Sequence, residues 1–174
     1  MRGDKPSPPG VTVNNAAREV ADRLRVIRAK AAAEAPRAAC EALGRTAETA
    51  VKVTLTSSTH PPGTLTPSRP GMPPSLITGT LRRSIARTPV MQDGTAAFRC
   101  LVGSKLIYAA VHEFGPVTIR ARNFPQLGNP TVGFFGRSVV IPQRPYVATA
   151  VKRLESSGMA TRVCADAWRA VMDY

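Results

Sequence analysis

The residues best equipped for chemistry are the neighbours His112 and Glu113, set in the stretch YAAVHEFG from Tyr108 to Gly115. An imidazole beside a carboxylate suggests acid–base work, with Ser104 upstream as the nucleophile of an acyl transfer. The spacing argues against it: adjacent helical residues point about 100° apart, so His112 and Glu113 cannot orient one another as base and supporting acid. A zinc hydrolase of the HExxH type needs a second histidine one helical turn on, and HEFGP has none; His60 lies in a separate proline-rich loop. Neither a GxSxG elbow nor a phosphate-cradling GxxxxGK[ST] occurs. Cys40, Cys100 and Cys164 are odd in number and about sixty residues apart, which is neither a disulfide framework nor CxxC metal spacing. They read as reduced core thiols. The expectation is a protein without catalytic residues, metal or cofactor, in which His112 and Glu113 form a polar helix edge at a surface or interface.

The elements that must position this stretch can be read from periodicity. With 174 residues, 43% of them apolar but only 5% aromatic, the chain supports one domain with an aliphatic, alanine-rich core. Its 16 prolines and 13 glycines put much of the length in loops. Residues 1–13 are polar and proline-rich, a flexible arm. After Asn14 or Asn15, Val20, Leu24, Ile27 and Ala31 recur at helical spacing, and Pro36 either ends this helix, kinks it or opens the next. The second helix carries Ala39, Leu43, Ala47 and Val51 on one face, with Glu41 and Arg45 outside it. Residues 57–74 are loop by composition.

TGTLRRSI starts a short helix, with Thr78 as cap and Leu81 and Ile85 on one face. Segments 88–91 and 96–102 flank the turn signal QDG, and Phe98, Cys100 and Val102 alternate with polar or outward positions, a β-hairpin with one buried face. Leu106, Ala109, Ala110 and Phe114 fit a helix that Gly115 and Pro116 stop. Val117 to Arg122 and Ser138 to Ile141 read as strands bounding a hairpin insert, 117–141, whose tip carries Phe134 and Phe135. Pro145 opens a final helical region, which Gly158 interrupts. The fold class is therefore α+β. Long N-terminal helices pack on a small, mostly antiparallel sheet with short central helices, in one domain over 14–155, followed by a C-terminal helical extension over 156–174.

The net charge of +13, from 24 basic and 11 acidic residues, points to a polyanionic or acidic partner, or to a solvated basic surface. Arg99, Arg120 and Arg122 are candidates for contact with DNA phosphates, without a motif that reads bases. The start MRGDKPSPPG has no apolar signal region, and no apolar run approaches the length of a membrane span. The expected setting is a cytoplasm, with no membrane partner.

The ordered series LITGTLRRSI, a hairpin ending in CLVGS, YAAVHEFG and IPQRPYV before a last helix resembles the tail-completion or neck proteins of long-tailed bacteriophages. That family includes proteins similar to the minor tail protein Z of phage lambda. Its pattern T-G-x-L-R-x-S-I is matched by Thr78, Gly79, Leu81, Arg82, Ser84 and Ile85; Y-A-x-x-x-E-F-G by Tyr108, Ala109, Glu113, Phe114 and Gly115; P-x-R-P-F/Y by Pro142, Arg144, Pro145 and Tyr146. The last two blocks also resemble virion morphogenesis proteins of contractile-tailed phages. The likeness covers roughly residues 16–155. The proline-rich loop, the hairpin insert and the extra C-terminal helix depart from it.

The resemblance implies a structural virion protein at the head–tail junction, a sixfold ring between the portal or head-closure side and the tail tube. It would contact packaged DNA without reading sequence. The expected subunit or partner contacts are Thr78, Leu81, Arg82, Tyr108, Glu113, Phe114, Arg144 and Tyr146, together with Phe134 and Phe135, with Glu113 facing a basic partner such as Arg144. The alternatives are a tail terminator or head-closure ring and, in another class, a small basic nucleic-acid-binding protein.

Overall fold

The computed structural model of the protein describes residues 15–57, 68–94, 97–119 and 139–173. Two helices, α1 (Asn15–Ala29) and α2 (Ala35–Ser57), follow one another through a π-helical segment at Lys30–Glu34. Pro36 explains the segment. A proline ring inside a helix clashes with the carbonyl four residues back and withholds the N–H that would bond it. The wider turn moves bonding one residue further, Ala35 N–H donating to Lys30 O, and the chain passes Pro36 without leaving helical geometry. Pro36 therefore sits in the first turn of α2, close to the expectation that it opens the second helix.

α2 packs the body with Ala35, Gly44, Val51, Thr54 and Leu55 buried; of the predicted face Val51 is buried and Ala39, Leu43 and Ala47 are half-buried, while Glu41 pairs with Arg45. α1 does not pack. Every one of residues 17–29 is exposed, and the helix has its main contacts with the π segment alone. The apolar stripe of Val20, Leu24 and Ile27, which suggested a buried face, is open to solvent.

A short helix α3 (Thr80–Ser84) leads straight into β1 (Ile85–Arg87). Gly79 occupies its N-cap with φ of 72°, a left-handed conformation that a Cβ makes costly, and this is what the T-G step supplies. Thr78, one residue before the cap, has its Oγ1 2.9 Å from Thr80 Oγ1 and accepts Thr80 N–H at a long 3.4 Å. Ile85, expected on the helix face, is instead the first strand residue and one of the most buried side chains. β1 pairs antiparallel with β4 (Val102–Ser104), and β2 (Met91–Gln92) with β3 (Phe98–Arg99). Thr88 N–H donates to Leu101 O between the two ladders, so the four strands form one long hairpin. Phe98, Cys100 and Val102 are half-buried while Arg99 and Leu101 are exposed, the alternation the sequence predicts.

α4 (Ile107–Phe114) ends at Gly115, and β5 (Val117–Ile119) pairs antiparallel with β6 (Val139–Ile141) to close the base of the insert. α5 (Val147–Ser156) and α6 (Met159–Met172) follow, separated by Gly158 at φ of 64°, and α6 lies along α2. The core draws one or two residues from each of several elements: Val51 and Leu55 from α2, Ile85 from β1, Ala109 from α4, Tyr146 and Ala150 around the start of α5. The architecture is α+β, three antiparallel strand pairs against helices.

Cys40, Cys100 and Cys164 are free and half-buried. Burial, and then the proximity of Cys100 and Cys164, pushes the Cys40 thiol above its ordinary value. Arg87 of β1 reaches α2, 3.6 Å from Glu48, and ties hairpin to helix.

Candidate functional site

α4 has two faces with different tasks. Its inner face consists of Leu106 at the cap, Ala109 and Glu113, and Glu113 is 8% exposed. A buried carboxylate needs partners, and Glu113 finds three in the first turn of α5. Its Oε2 accepts Tyr146 N–H at 2.8 Å and Val147 N–H at 2.9 Å, and its Oε1 accepts Ala148 N–H at 2.8 Å. These are donors that a helix leaves without intrahelical acceptors, and no local side chain caps α5. The carboxylate also sits at the positive end of the helix dipole. Glu113 is thus the N-cap of a helix that starts more than thirty residues later.

The rest of IPQRPY is laid against the same end of α4. Arg144 N–H donates to His112 O at 2.7 Å, and Gln143 Nε2 to Glu113 O at 2.8 Å. Gln143 O in turn accepts Gly71 N–H, and Arg144 Nε donates to Ser68 O at 3.1 Å, which holds the end of the proline-rich loop. Gly115 permits the approach: a Cβ there would lie 2.8 Å from Val111 O and 3.3 Å from the Gln143 backbone. Backbone atoms on both sides cannot swing aside. YAAVHEFG and IPQRPY are therefore the two halves of one intramolecular joint.

This corrects the sequence expectation for three residues. Glu113, expected at a subunit boundary, is buried within the monomer, and no ion pair joins it to Arg144 among the described residues. Arg144 is itself buried on Ser68 O, and Tyr146 is 2% exposed, a core residue. Of the periodic set Leu106, Ala109, Ala110 and Phe114, the first two turn inward, whereas Ala110 and Phe114 are exposed and the remaining inward place is taken by the carboxylate α5 requires. Burial pushes the Tyr146 hydroxyl up to about 12, with Glu113 and Tyr108 adding to the shift.

Of the side chains that suggested catalysis, Glu113 and Ser104 are engaged within the fold, whereas the buried Nδ1 of His112 has no hydrogen-bond partner. Ser104 Oγ lies 2.7 Å from Ser84 Oγ and accepts Leu106 N–H. Burial, then the charge of Arg144, lowers the His112 imidazole below its ordinary value. Its ring meets Tyr108 edge-on at 6.2 Å. Among the described residues no cluster of three His, Cys, Asp or Glu side chains could hold a metal, and no helix is long and apolar enough to cross a membrane.

The outer face of α4 is apolar and open. Ile107 is 89% exposed and Phe114 80%, with Tyr108 and Ala110 exposed between them and Val117 just beyond. No described residue covers side chains of this size, and an exposed apolar patch of this kind is unusual on a monomer. Next to it, Thr78, Leu81, Arg82, Tyr108 and His112 line a shallow cleft, so four of the sequence-predicted contact residues meet. Arg99 is exposed and 3.6 Å from Asp93. Arg120, Arg122, Phe134 and Phe135 lie outside the described residues.

Sequence reasoning missed Ser68, Gln143 and Ile107. One signal for the joint was present: α5 begins after P-x-R-P-Y with no Ser, Thr, Asp or Asn at its cap, which calls for an acceptor from elsewhere in the chain. No protein-family model, curated protein or solved structure matches the chain.

Proposed function

We propose that the protein is a structural subunit of a phage neck, a ring at the head–tail junction that completes or joins the tail around the DNA channel. The observation that carries the reading is the outer face of α4. It is a large aliphatic and aromatic surface, centred on Ile107 and Phe114 and adjoining the Thr78–Arg82 cleft, on a body in which Glu113 and Ser104 are engaged in holding the fold. A ring of identical copies needs two different adhesive surfaces per subunit and no reactive centre. The joint also gives a physical reason for the residue blocks that resemble the neck family, since Glu113, Gly115 and the P-x-R-P-Y segment depend on one another. Within the virion, a tail terminator or head-closure ring has the same requirements.

The net charge of +13 supports a second reading, a small basic protein that binds nucleic acid away from any particle. Locating the polypeptide in averaged images of intact particles separates the two. Density for several symmetric copies between capsid and tail supports the neck reading. Absence from purified particles, with steeply salt-dependent binding of the monomer to free duplex, overturns it in favour of the second.

A further inference from the structure

α1 carries a feature that neither the joint nor the α4 face uses. Ala17, Val20, Leu24, Ile27 and Ala31 recur at steps of three, four, three and four, the spacing of a coiled-coil seam. The seam lies bare: Val20 is 56%, Leu24 59% and Ile27 49% exposed. With Val20 and Ile27 at one seam position and Ala17 and Leu24 at the other, the charged residues bordering it within α1 are Arg23 on one side and Arg28 on the other, and Lys30 follows at the start of the π segment. The acids of the helix face away, where Glu19 pairs with Arg23 and Asp22 with Arg25.

We infer that α1 is a docking helix for a partner α-helix whose apolar seam is bordered by acidic residues. A second copy of this chain does not fit. Parallel pairing sets Arg23 against Arg28 of the other copy, and antiparallel pairing sets basic borders against each other as well. A bilayer surface fits less well too, because the stripe is narrow and has no aromatic side chain to seat at the headgroups. The helix is continuous with α2 through the π segment, so its first turns need no separate nucleation and the seam is presented in helical form before it meets a partner. The inference does not rest on the neck reading.

The test uses the full chain and two synthetic helices of about four heptads with the same Leu seam, one bordered by Glu and the other by Lys. Fluorescence anisotropy at low salt should show the Glu-bordered helix binding at least about tenfold more tightly than the Lys-bordered one, with the difference shrinking as salt rises. L24D/I27D should abolish binding without shifting the urea midpoint of the body. R28E/K30E should reverse the preference toward the Lys-bordered helix, which keeps the test decisive even if L24D/I27D unwinds α1. Failure of the Glu-bordered helix to bind, or equal binding of both, overturns the inference. So does self-association abolished by L24D/I27D, or capture by phosphatidylglycerol vesicles that needs Leu24 and Ile27. A ring that forms with or without α1 docking leaves the two conclusions separately decided.

Discussion

Replacing Glu113 by glutamine keeps its shape and removes its charge, which makes it the sharpest probe of the joint. The carboxylate accepts three N–H groups through two oxygens, two on Oε2 and one on Oε1. A Gln amide can keep its oxygen toward Tyr146 and Val147, but its NH2 then faces Ala148 N–H, donor against donor. One charge-assisted bond is lost, at about 1.5–3 kcal/mol, and the helix-dipole interaction adds up to about 1 kcal/mol. Glu113→Gln should therefore destabilise the protein by about 2–4 kcal/mol. Glu113→Ala orphans all three donors in a buried place and should cost about 3–5 kcal/mol. For a chain of this size each kcal/mol moves Tm by about 2–4 °C, so the glutamine variant should melt roughly 5–15 °C lower. The assay is urea unfolding of purified protein followed by far-UV circular dichroism, with Tm as a second readout. Wild-type midpoints in both variants, accompanied by failure to assemble, would refute the reasoning and return Glu113 to a subunit boundary.

Gly115→Ala attacks the same joint from the backbone side and should cost about 2–3 kcal/mol in urea unfolding, because neither Val111 O nor the Gln143 backbone can yield. Stability should fall as pH rises from about 10 toward 12: the Tyr146 hydroxyl ionises near 10 in the unfolded chain but is held up to about 12 in the fold, so the unfolded state loses its proton first. Tyr146→Phe should flatten that alkaline loss, read from urea midpoints across the range. Gly44 and Cys100 should be coupled, since a Cβ at residue 44 would lie 2.8 Å from a Cys100 sulfur that donates to Thr88 O. Gly44→Ala should destabilise alone and become neutral or stabilising with Cys100→Ala, a coupling of about 1–2 kcal/mol in a double-mutant cycle, and simple additivity would count against the contact.

The parts of the fold legible in the sequence are those set by local physics. The alternation of Phe98, Cys100 and Val102 gives the hairpin face, and glycine followed by proline ends α4 at Phe114. The α2 face from Ala39 to Val51 follows from its apolar period. What was not legible depends on pairings across the chain. Periodicity ranks Phe114 above Glu113 as an inward residue, because it cannot see that α5 arrives without a cap and needs a carboxylate. The stripe on α1 shows that amphipathic spacing specifies a face suited to a partner without specifying that the partner belongs to the same chain. Pro36, expected to end a helix, kink it or open the next, lies in the first turn of α2, and the π turn that carries the chain past its missing N–H leaves no mark in the apolar pattern.

The central claim separates the two faces of α4: the inner one holds the monomer together and the outer one binds neighbouring subunits. Sedimentation velocity of wild type beside I107D/F114D, with urea midpoints for both, tests it most directly. The account predicts that wild type sediments as closed oligomers while the variant is monomeric with an unchanged midpoint, since both side chains are open to solvent in the monomer. A wild-type chain that stays monomeric at every concentration, or a variant that assembles as wild type does, would contradict it.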